Sequence, residues 1–136
     1  RPSIMSTIKA NTLLHSDGST TTQPSIPALD KRMAKAWINM DMSTGVIKDS
    51  YGVSSITDGG TGNWYVTFST AQSDTNYCVV NNSGWVESTG GQIWVLVTAT
   101  VDTTARFRIL ARYIDNDAPS FAIYDEPKIT AAVFSS

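Results

Sequence analysis

The residue types that do acid–base, nucleophilic and metal chemistry are few in this chain and widely spaced. His15, the sole histidine, is followed by Ser16 and Asp17. A Ser-His-Asp triad needs a rigid site that aims the base at the nucleophile. The segment around His15 is polar and thinly patterned, and a turn at Asp17 and Gly18 accounts for its residues better. With one His and one Cys, a zinc site within the chain would need carboxylates to complete it, and no zinc-ligand spacing occurs. Asp115, Asn116 and Asp117 resemble the opening of a calcium loop without its later glycine and bidentate Glu. Asp125 and Glu126 form a second acidic pair, and both groups read as turn residues between strands. Glycoside hydrolysis needs two carboxylates facing each other across a groove, and nothing selects such a pair from the 12 acidic residues. The Gly59, Gly60, Thr61, Gly62 run lacks the Lys and the following helix of a phosphate-binding loop. The expected chemistry is therefore non-covalent, with no catalytic residue, metal or cofactor assigned.

Binding chemistry has better candidates. Trp85 lies in the Gly- and Ser-rich segment 81–91, where an indole on a loop can stack on a sugar ring or anchor an interface; the alternative for any tryptophan in a small chain is a core position. Asn81 and Asn82 open the same segment and supply amide donors and acceptors. Alternation over 106–113 puts Phe107, Ile109, Ala111 and Tyr113 on one face and Arg106, Arg108 and Arg112 on the other. Three of the ten Lys and Arg residues thus share one strand face. That face is either a solvated one that discourages edge-to-edge pairing or an anion contact. In 92–99, Ile93, Val95 and Val97 point one way while Trp94 and Leu96 point the other. A sandwich strand needs one apolar face only, so the face of Trp94 and Leu96 must be covered by another strand layer, a loop or another subunit, and the subunit is the expectation.

Composition bounds the partners. At 136 residues the chain is one domain's worth, with 41% hydrophobic and only 16% charged residues. A net charge of −2 gives too weak a field to attract duplex nucleic acid or an acidic membrane as a main partner. No run approaches the roughly 18 apolar residues of a spanning helix, so membrane insertion is not expected. Cys78 excludes an internal disulfide by being alone, and in the run Tyr77, Cys78, Val79, Val80 it is most simply a buried small hydrophobe.

The elements that must position these residues are read from periodicity. Met5, Ser6 and Thr7 look like a natural start, which makes 1–4 candidates for a non-native remnant. Residues 1–30 carry too little apolar surface to fold alone and are expected to form an extended N-terminal arm or docking segment. Asp30 could cap a single helical turn over 29–36. From there period two takes over, and strands are predicted at 35–42, 45–50, 52–57, 63–69, 76–81, 92–100, 105–113, 119–124 and 128–134. The glycines of 58–63 suggest a long, flexible hairpin tip. No 3.6-residue stripe persists, so residues 31–136 are predicted to form an all-β domain, an antiparallel β-sandwich of jelly-roll-like or Ig-like type.

The runs MAKAWINM (33–40) and IKDSYGVSSITDGGTGNWYVTFSTAQSDTNYCVV (47–80), with AAVF at 131–134, resemble a recurrent structural module of tailed-bacteriophage virion proteins, the tail-fibre-like proteins of marine-type phages. The opening MSTIKANT (5–12) is similar to the starts of such proteins. The resemblance departs at Asp41 and Met42, where the module usually has a Gly-rich turn, and 81–127 matches nothing in it. It implies a non-enzymatic virion component, assembled in the host cytoplasm as a homotrimer and contacting other virion proteins. The leading expectation is a tail-fibre or receptor-binding component that meets a host surface glycan or protein. The alternatives are a capsid decoration or head-fibre protein docking through its arm and, remotely, a polysaccharide depolymerase.

Overall fold

A computed structural model of the chain describes residues 10, 12, 14, 16–18, 32–83, 93–115 and 121–135, with the backbone alone at 83, 93–95, 114, 115 and 121. Nine strands are present among them: β1 (Ala36–Asp41), β2 (Val46–Tyr51), β3 (Val53–Asp58), β4 (Asn63–Phe68), β5 (Cys78–Ser83), β6 (Ile93–Thr103), β7 (Arg106–Asp115), β8 (Phe121–Ile123) and β9 (Ile129–Phe134). They form two packed antiparallel sheets, a four-stranded one in the order β2-β1-β9-β5 and a five-stranded one in the order β3-β4-β7-β6, with β8 also on β7. The chain is an all-β sandwich, as its alternation predicts. The predicted helical turn does not appear in its described part, where Arg32 and Met33 form a turn and bend before β1. Most of the expected arm over 1–30, His15 included, lies outside the described residues; Ser16 and Asp17 form a turn, and Gly18 follows at φ 79°.

The core is the set of side chains that period two sends inward. Ala36, Ile38 and Met40 of β1 and Ile129, Ala131 and Val133 of β9 meet Trp64, Val66 and Phe68 of β4 and Phe107, Ile109 and Ala111 of β7. The same parity corrects the expectation for Cys78. Tyr77 is buried and Val79 packs on the core, so Cys78 between them points outward and is exposed.

Three bulges adjust the pattern where strict alternation would fail. Val53 and Ile56 both pack on the core although they are three residues apart, because the register shifts between Val53 and Ser55. Ser54, left without a ladder partner, turns its hydroxyl to the carbonyl of Phe68 at 3.1 Å. In β2 the register skips Lys48, whose ammonium reaches the Pro127 carbonyl at 2.9 Å. In β6 it skips Asp102, which accepts from Arg106 Nε. Each extra residue is polar and is tied back by its side chain.

Two corners depend on glycine. At Gly52, φ 67°, the chain passes from one sheet to the other, and a Cβ there would lie 2.6 Å from the Lys35 carbonyl. The 58–63 turn departs from the flexible tip that its sequence suggests. Gly59 N donates to Asn63 O at 2.8 Å and Gly60 N to Asp58 Oδ1 at 2.7 Å. Gly62 N donates to Asp125 Oδ1 at 2.7 Å, while Ala111 N donates to Gly62 O at 2.8 Å. The glycines allow close backbone docking against β7 and the segment after β8, so the tip is a tied corner.

Gly62→Ala is expected to destabilise the protein by about 2 kcal/mol or more, since φ 67° strains any Cβ and this one would also sit 2.5 Å from the Ala111 carbonyl. Gly60→Ala meets nothing within 4 Å and should cost less; urea unfolding of both variants measures the difference.

Candidate functional site

The basic face is built as alternation predicts, but two of its three arginines are engaged. Phe107, Ile109 and Ala111 are buried, which turns Arg106, Arg108 and Arg112 to the outer face of the five-stranded sheet. Arg106 lies over the Tyr65 ring at 4.3 Å and pairs with Asp102. Arg108 lies 5.9 Å from the same ring and donates to Asn63 Oδ1 at 2.7 Å. Since β7 is paired on both sides, by β4 and by β6, the expected role against edge-to-edge pairing does not apply to it. Arg112 stands in a cross-strand row between Leu96 and Ile123, which are 54% and 59% exposed. The side chain of Trp94 and the whole of Trp85 lie outside the described residues.

The two asparagines separate. Asn81 faces inward at the open side of the sandwich, where β5 and β6 end their sheets, and its Nδ2 donates to Val97 O at 3.0 Å. Ala99 N donates back to Asn81 Oδ1 at 3.2 Å. The carboxamide thus satisfies two groups of a sheet edge as a neighbouring strand would. Asn82 points the other way and is exposed.

Asn82 belongs to a face that sequence reasoning missed, the outer side of β2-β1-β9-β5. Register aligns Tyr51, Trp37, Ala132 and Val80 in one row across all four strands. Two residues along, Asp49, Asn39, Thr130 and Asn82 form a second row. Trp37, Tyr51 and Val80 are 36%, 43% and 50% exposed, on a side of the sheet that nothing else in the described chain covers. Between β1 and β5 the surface dips into a groove of about 450 Å³, floored by Ala132 and Thr130 and flanked by Trp37, Asn39, Val80 and Asn82. Alternation alone places Trp37 with Asn39 opposite the core residues Ala36, Ile38 and Met40, which was the available signal. The row itself needs the β1–β9 and β5–β9 pairings.

Glu126 is the other residue that the turn reading missed. It is completely buried, accepts from Lys128 N at 3.2 Å through Oε1, and has no hydrogen-bond partner for Oε2 among the described residues. Desolvation pushes its pKa up, with the Asp41 carboxylate adding to the effect, while the backbone N–H and charge of Lys128 oppose it. Asp41 moves the opposite way, chiefly because the Ser43 hydroxyl donates to it at 2.6 Å. Divergent carboxyls can divide acid and base roles, but Glu126 is sealed from any substrate, so this pair forms no accessible cleft. Among the described residues no group of three or more His, Cys, Asp or Glu side chains is arranged to hold a metal ion.

No known family model matches the chain, and no curated protein or solved structure matches it either. The geometry of the sandwich and its outer faces therefore carries the functional argument, with the sequence resemblance beside it.

Two outcomes are expected here. Asn81→Ala should lower stability by about 1–2 kcal/mol in denaturant titration, because a β6 carbonyl and amide lose their partner. Glu126 has a folded pKa raised above its ordinary 4.5, so its contribution is full below that value and is lost as pH rises through the folded one. Melting curves from pH 4 to pH 8 should accordingly fall less steeply for Glu126→Gln than for the parent chain; equal slopes would contradict the burial argument.

Proposed function

We propose that this protein is a non-catalytic attachment domain, working as a tail-fibre or receptor-binding component of a phage virion. The observation that carries the reading is the outer face of β2-β1-β9-β5. It presents Trp37, Tyr51 and Val80 to solvent on a hydrogen-bonded sheet whose other side is core. Large aromatic and aliphatic groups on a rigid surface suit recognition, because little conformational entropy is lost when a ligand docks. The resemblance of 33–80 and 131–134 to virion modules supports the setting.

Attachment of this kind works by number. Each site binds weakly, and joining several copies makes later contacts intramolecular, which raises avidity by about 10²–10⁴. A homotrimer is the assembly proposed, and the exposed Leu96 on the opposite sheet offers apolar surface for contact between copies.

The test is light scattering on the eluting full chain, followed by adsorption of that chain, fluorescently labelled, to intact marine bacteria. A trimer at micromolar concentration and saturable adsorption competed by unlabelled protein are expected. A monomer under these conditions, or no saturable adsorption to any marine strain tested, would overturn the attachment reading.

A further inference from the structure

We propose that the groove across β1, β9 and β5 binds an uncharged sugar ring, which stacks on Trp37 and takes hydrogen bonds from Asn39, Asn82 and Thr130. The inference rests on the attachment reading and names the site and ligand class for it.

Four observations lead to this occupant. The first is amphiphilicity. A pyranose has an apolar C–H face and a rim of hydroxyls, and the groove has an indole and Val80 in one row with amides and a hydroxyl in the next. The rows lie two residues apart along the strands, roughly 7 Å, which one ring with its hydroxyls can bridge. The second is hydrogen-bonding capacity. Among the described residues the side chains of Asn39, Asn82 and Thr130 have no hydrogen-bond partner in the protein, so their donors and acceptors are open to a ligand, whereas Asn81 beneath them is committed to β6.

The third observation is charge. Every residue lining the groove is uncharged. The nearest ionic group in the polar row is Asp49, on the edge strand β2, which would accept from sugar hydroxyls and repel an anionic ligand. The engaged arginines belong to the other sheet. Among the residues that line the groove a phosphate, sulfate or uronate would therefore find no counter-ion; the nearest lysines of this face, Lys35 and Lys128, lie outside that lining. The fourth is size. The open groove of about 450 Å³ has the volume of a small-ligand site and leaves the outer side of a bound ring to solvent. A stable face-to-face dimer needs about 800 Å² from each partner, and a row with one alanine and an open amide row beside it is poorly suited to that.

The aromatic row also gives a direction. From Tyr51 to Val80 it crosses four strands, a span of roughly 14 Å at the usual strand spacing. A neutral glycan lying across the strands would place one unit on Trp37 and have Tyr51 beside a neighbouring one.

The experiment is isothermal titration calorimetry of the full chain with dextran, yeast mannan and agarose oligosaccharides, with polygalacturonate as the anionic control. At least one neutral probe should bind, and polygalacturonate should not. Trp37→Ala and Asn82→Ala, both on the solvent side of the sheet, should each weaken that binding about tenfold while keeping the parent melting transition, and Trp37→Tyr should restore part of it. No heat from any neutral probe, unchanged affinity in Trp37→Ala, or binding of polygalacturonate alone would overturn the proposal. So would an assembly that dissociates in Trp37→Ala without any sugar binding in the parent, which would assign the face to a second copy. Cell adsorption that survives Trp37→Ala would sink this site and leave attachment standing. Sugar binding by a chain that adsorbs to no cell would sink the attachment reading instead.

Discussion

A two-layer sandwich has a single interior, and every strand must give one of its two faces to it. In this protein that constraint organises nearly everything else. Once Ala36, Ile38 and Met40 are drawn onto β4 and β7, Trp37 and Asn39 have to stand on the outer side. Once Tyr77 and Val79 turn inward, Cys78 and Val80 must turn out. The outer face of β2-β1-β9-β5 is the complement of the core, and its chemistry follows from which residues the core did not take.

The corners and bulges keep that division consistent. Gly52 and Gly62 bring backbone against backbone where a side chain would intrude, and the bulges at Lys48, Ser54 and Asp102 absorb residues that would otherwise flip a strand's faces. Tyr77 adds a clamp, since its hydroxyl lies 2.8 Å from the carbonyls of both Thr103 and Arg106 across the β6–β7 turn. Its burial raises the phenol's pKa and keeps it protonated, so it remains a donor to one of them. A frame held in this way presents exposed side chains in fixed positions, which is what the proposed attachment requires.

The limits of the sequence reading are visible at particular residues. Strand positions were legible because period two is a local property, and each predicted strand lies close to the one observed. The tip over 58–63 was misread because glycine content reports freedom in an isolated chain, whereas its docking depends on Asp125 and Ala111, far away in sequence. Glu126 looked like a turn residue for the same reason: nothing near it in the chain says that the end of the sandwich closes over its carboxyl. Asn81 and Asn82 are neighbours with equal side chains, and only the approach of β6 separates an edge-capping amide from an open one.

By itself the sequence determined the class of fold, the inward and outward sets on most strands and the weak overall charge. Those follow from local alternation and composition. Tertiary structure decided which strands are neighbours, because β1 pairs with β9 and β9 with β5 across long stretches of chain. Hydrogen-bond register between distant strands is what sets Trp37 beside Ala132 and Val80, and Asn39 beside Thr130 and Asn82. A candidate site made of cross-strand rows exists only after that register is fixed, since no local pattern encodes which residue of one strand stands opposite which residue of another.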